Sequence, residues 1–182
     1  MPFHATVGDL HDFFILAGTS SATLVGLLFV GLSLHLKIVI AAPEVRGLAR
    51  VTLANFGAVL FVTLFMVIFE SSETAALQLI GSGIVSLIVT TPSLVAIARG
   101  REAYWEMQLR DRARMTLRFG LSGVGYLGII AAGALLFLEH PSAFVWVIVA
   151  AIVLLLLISL RNTWDLLVTV GEQTMAAEGD KS

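Results

Sequence analysis

Charge is absent from five long stretches of this chain: residues 13–36, 51–69, 74–98, 119–138 and 141–160 contain no Asp, Glu, Lys or Arg. A hydrocarbon core about 30 Å thick is crossed by about 20 helical residues rising about 1.5 Å each, so every stretch is long enough to span a bilayer once. With 58% hydrophobic and 13% charged residues and a mean hydropathy of +0.95, the chain is far too apolar for a water-soluble domain. Strands facing lipid leave backbone groups unpaired, and no ten-residue alternation suggests a closed barrel. The expected fold is an all-α integral membrane protein of five transmembrane helices.

The cations set an orientation. With alternating spans, Lys37, Arg46 and Arg50, the six arginines from Arg99 to Arg118, and Arg161 with Lys181 all fall on one side, which accounts for all 11 Lys and Arg residues. The other side carries only Asp9, Asp12, Glu70, Glu73 and Glu139. The positive-inside rule then predicts the N-terminus outside and the C-terminus in the cytoplasm. No cationic region or small-residue cleavage site precedes the first stretch, which reads as a retained span. The chain contains no Cys, so disulfides and thiolate chemistry are excluded.

The outer connections are too short to fold separately, so residues 1–171 read as one transmembrane domain and 172–182 as a disordered cytoplasmic tail. Between spans three and four, residues 99–118 (RGREAYWEMQLRDRARMTLR) read as an amphipathic cytoplasmic helix: Trp105, Leu109, Ala113 and Leu117 recur every fourth residue beside a cationic row of Arg110, Arg114 and Arg118. Such a helix suits anionic lipids of the inner leaflet; the second reading is a docking surface for an acidic protein partner. Nothing points to nucleic acid.

Chemistry inside a membrane usually rests on an ionisable residue at depth, and none of the spans places one there. The deepest amides, Asn55 and Gln78, do not titrate. Ser82, in Gly81-Ser82-Gly83, has the depth of a buried nucleophile but no histidine at its level. His4, His11 and His140 lie beside the outer carboxylates without a metal-ligand spacing. The expectation is a protein that is not an enzyme and holds neither cofactor nor metal.

Small and hydroxylated residues are the remaining pattern. Residues 121–128 (LSGVGYLG) resemble the filter string of potassium channels over four residues, but a filter needs an extended loop between two full spans, and giving up this span would put Arg161 and Lys181 outside. On a helix, Gly125, Gly128 and Ala132 share about 60° of arc, a smooth strip for close packing. In the first span Thr19, Ala22, Thr23, Gly26 and Ser33 share about 100°, and in the third Gln78, Ser82, Ser86, Thr90 and Ser93 keep to about 120°. The latter stripe, with Thr19 and Thr23, reads either as helix contact or as the lining of a pore.

The first span as a whole, HDFFILAGTSSATLVGLLFVGLSLH, resembles the first-span signature of small multi-pass bacterial inner-membrane proteins to which no activity is attached. The resemblance covers residues 11–35 and implies a bacterial inner membrane and a recurrent packing surface. Two function classes follow: a non-catalytic, self-associating scaffold or regulator, and, as the alternative, an oligomeric passive channel lined by the hydroxyls of spans one and three.

Overall fold

The computed structural model describes residues 8, 10–34, 36–41, 43–68, 71–99 and 109–179 as backbone, with the side chains at 37–38, 41, 43–44, 93–99, 109–119, 170 and 172–179 outside the description. The described residues outside the connections are helical: α1 (His11–Leu34), α2 (Leu36–Ala41), α3 (Pro43–Ile68), α4 (Ser72–Arg99), α5 (Leu109–Phe137) and α6 (Pro141–Gly179). All but the six-residue α2 contain a window long and apolar enough to cross a membrane: His11–Leu34, Val45–Ile68, Ser72–Pro92, Gly120–Phe137 and Pro141–Thr169. Among the described residues the protein is therefore all-helical, with five helices long and apolar enough to cross a membrane, as a multi-pass membrane protein requires.

Local chemistry marks the helix ends. Pro43 and Pro141 each stand first in a helix, where the missing N–H has no intrahelical acceptor to lose. Ser71 caps α4, its hydroxyl accepting from the Thr74 N–H at 3.4 Å. At the end of α5, the Glu139 N–H donates to Leu136 O and the His140 N–H to Leu135 O, with Glu139 at φ 59°. This is a Schellman ending, and it turns the chain back into α6 within three residues.

Packing follows a ring. α3 lies against α4, α4 against α5, α5 against α6, and α6 against α3, while α1 docks outside this ring on α3 and touches α6 only lightly. The main apolar core joins Val59, Val62 and Met66 of α3 to Leu79 of α4, Ile129 of α5 and Ile148 and Ile152 of α6. A smaller cluster, Leu28, Val45, Ala49, Phe56 and Leu166, ties α1 to α3 and α6 toward the arginine-bearing end.

Three boundaries differ from the sequence expectation. The second span's helix starts before Arg46 and Arg50, and the fifth passes Arg161 and continues to Gly179, through most of the tail read as disordered. At about 1.5 Å per residue the 39 residues of α6 reach about 58 Å, well beyond the hydrocarbon. A charge marks the edge of lipid, not the end of a helix: Arg161 is exposed while Asn162 and Leu166 on the other face stay buried against the bundle. Within 172–179, Glu, Gln, Met and Ala are good helix formers. Finally, residues 109–118, the second half of the basic segment, are the first turns of α5, continuous with the fourth span; 100–108 lie outside the described residues.

Candidate functional site

Apolar side chains fill one half of the ring, whereas polar ones meet in the other. The Tyr126 hydroxyl of α5 donates to Asn55 Oδ1 of α3 at 2.5 Å, and Asn55 Nδ2 donates to Ser122 Oγ at 3.0 Å. All three residues are buried, so these bonds run through the middle of the ring between helices that are diagonal to each other. In hydrocarbon an unpaired amide has no water to fall back on, which makes a paired set the stable arrangement.

The close approach of the helices fixes what else lies at this level. A Cβ placed on Gly125 would come within 2.6 Å of Leu155 and one on Gly128 within 3.0 Å of Ala151, so α5 and α6 run antiparallel with Ser122 near the level of Ser159. Likewise a Cβ on Gly83 would sit 3.1 Å from Tyr126 O, and one on Gly133 2.8 Å from Ala76 O, which brings Ser86 and Thr90 of α4 to the same layer. Ser86, Thr90, Ser159 and Asn162 are all buried. Thr90 donates to Ser86 O at 2.8 Å, but among the described residues Ser159 Oγ and both polar atoms of the Asn162 amide have no hydrogen-bond partner. Ser159 and Asn162 were not singled out from the sequence; Asn162 lay beyond Arg161, past the edge assigned to the last span.

The sequence-derived stripes divide. On α4, Gln78, Ser82 and Ser86 line an open groove of about 950 Å³ between α3 and α4, whereas Thr90 turns into the bundle; the Ser93 side chain lies outside the described residues. Ser82 donates to Leu79 O of its own helix at 3.0 Å. On α1, Thr19 and Thr23 are exposed, Thr23 donates to Thr19 O at 2.9 Å, and Gly26 meets nothing within 4 Å. These two faces do not meet within one chain, because α3 stands between α1 and α4. The other face of α1 is engaged: Ser21 Oγ donates to Phe56 O at 2.7 Å, and a Cβ on Gly18 would be 2.6 Å from Thr63 Oγ1.

Gly125, Gly128 and the buried Ala132 lie along the packed side of α5, with the first two against α6. The string 121–128 is helical throughout, and its tyrosine is the hydroxyl that bonds Asn55. Arg110, Arg114 and Arg118 are on the first turns of α5, with side chains outside the description. Among the described residues no group of three or more His, Asp or Glu is placed to hold a metal ion.

No family model matches the chain, and neither a curated protein nor a solved structure is significantly similar to it.

Proposed function

We propose that this protein is a non-catalytic, self-associating membrane scaffold or regulator whose copies meet through the outer face of α1. The observation that carries this reading is the contrast between the two sides of that helix. One side is closed onto α3 by Gly18 and Ser21, and the other presents Thr19 and Thr23, both exposed, and Gly26, which meets nothing within 4 Å among the described residues. Because Thr23 satisfies its hydroxyl on its own helix, the outer face is smooth as well as small, and smooth faces let membrane helices approach closely.

The same reading places the arginine-bearing ends in the cytoplasm of a bacterial inner membrane, with the basic row at 110–118 beside anionic lipids or an acidic partner. A passive channel between copies is the competing reading. It is disfavoured by Thr90, which is buried inside one chain and bonds to Ser86 O, so that the stripe that opens on the groove at Gln78, Ser82 and Ser86 does not continue outward through Thr90.

Dilution in liposomes with donor- and acceptor-labelled protein tests the proposal. Gly26→Leu is expected to weaken association at least about tenfold, since 1.4 kcal/mol of lost packing is a factor of ten, while leaving the melting temperature of the single chain unchanged. Association unaffected by Gly26→Leu and Thr23→Leu, or a protein monomeric at every dilution, overturns it. Ion flux that is blocked by labelling Ser86→Cys or Thr90→Cys with an impermeant thiol reagent would instead establish the channel.

A further inference from the structure

The groove between α3 and α4, lined also by Leu32 of α1 and Val39 of α2, has a different chemistry from the outer α1 face. Ala54, Gly57, Phe61 and Val85 line its length, and Arg46 and Arg50 stand at one end. Both arginines are exposed, and among the described residues neither has a hydrogen-bond or ion-pair partner. Four apart on one helix, they are neighbours on the same face, and like charges so placed repel unless an anion lies between them. No Asp or Glu is among the groove's described lining residues.

We propose that this groove is a binding site for one anionic phospholipid of the surrounding bilayer, its phosphate held by Arg46 and Arg50 and one acyl chain laid along Gly57 and Phe61. Charge selects the occupant: a guanidinium pair at the mouth of an apolar trough matches a lipid, which has an anion at one end and hydrocarbon beyond it. Length agrees. From Arg50 to Phe65, the far wall of the groove, the helix rises roughly 22 Å, more than the roughly 15 Å that one leaflet contributes to the hydrocarbon core. The small residues Ala54 and Gly57 hollow the α3 wall, and Gly57 has nothing within 4 Å to fill the space a side chain would take. A second copy of the chain is a poorer occupant: a lipid carries its anion and its hydrocarbon in one molecule, whereas a second chain would have to bring a carboxylate to Arg46 and Arg50 while laying an apolar helix face along the trough.

Native mass spectrometry of the full chain, released from nanodiscs of equal phosphatidylglycerol and phosphatidylethanolamine, reads the site directly. One phosphatidylglycerol is expected to remain per chain in preference to phosphatidylethanolamine. Arg46→Gln with Arg50→Gln should lower its retention at least tenfold, and Gly57→Leu, which fills the trough and spares the arginines, should do the same. Circular dichroism on each variant confirms that the helices remain; should either fail to fold, Ala54→Leu replaces Gly57→Leu and the single Arg50→Gln replaces the pair. Equal retention of the two lipids by the native chain, or unchanged phosphatidylglycerol in the variants, overturns the proposal. So does loss of dimer without loss of lipid in Gly57→Leu, which would make the groove an interface between copies.

Discussion

Glu139 holds a left-handed backbone conformation, φ 59°, in the turn that closes α5 onto α6. For an L residue this region costs about 1–2 kcal/mol, part of which glycine returns through its larger unfolded-state entropy. Glu139→Gly should therefore raise stability by up to about 1 kcal/mol, read as a higher melting temperature in detergent; a decrease would mean that the exposed carboxylate makes a compensating contact. Deeper in the molecule, Tyr126→Phe leaves Asn55 Oδ1 without its donor, and a hydrogen bond between membrane helices is worth about 0.6 kcal/mol, with an upper range near 1.7. Asn162 is the opposite case. Its amide is buried with no partner among the described residues, so Asn162→Leu, similar in volume, should be neutral or stabilising by about 1–3 kcal/mol. A clear loss of stability in Asn162→Leu would show that an ordered water or a second chain satisfies the amide.

At the scale of elements, the question is how closely α5 approaches α4 and α6. A Cβ on Gly133 would meet the backbone oxygen of Ala76 at 2.8 Å, and a carbonyl on a packed helix cannot swing aside. A Cβ on Gly128 meets the Cβ of Ala151 at 3.0 Å and its Cα at 3.8 Å, with no closer backbone atom, and one on Gly123 meets nothing within 4 Å. The expected order of damage is therefore Gly133→Ala, costing roughly 1–3 kcal/mol as overpacking does, then Gly128→Ala, with Gly123→Ala neutral. Thermal melts of the three variants under one detergent condition test that order, and equal effects would mean that helix propensity rather than contact decides. The spacing of Gly125, Gly128 and Ala132 made one packed strip of α5 legible from sequence. Gly83, beside Ser82 and Gly81, and Gly133 share no helical strip of small residues that marks them; only the neighbouring helix shows that their missing side chains matter.

For the molecule as a whole, the orientation proposed from the one-sided cations predicts a cytoplasmic signal from a reporter fused after Ser182 and a periplasmic one from a reporter before Met1. A periplasmic signal at Ser182 would reverse the assignment of every loop. The number of spans, their helical state and the split of charge between the two ends follow from the sequence by itself, because the transfer of a side chain into hydrocarbon is local and nearly additive along the chain. Which polar groups meet does not follow. Asn55 and Tyr126 stand 71 positions apart and become partners only when α3 and α5 face each other across the closed ring. The hydroxyls of α1 and α4 read alike in sequence, yet α3 separates them, leaving one row bare and dividing the other between a groove and the interior. Tertiary structure decides this because burial and pairing depend on register and on the neighbouring helix, and neither is a property of any one segment.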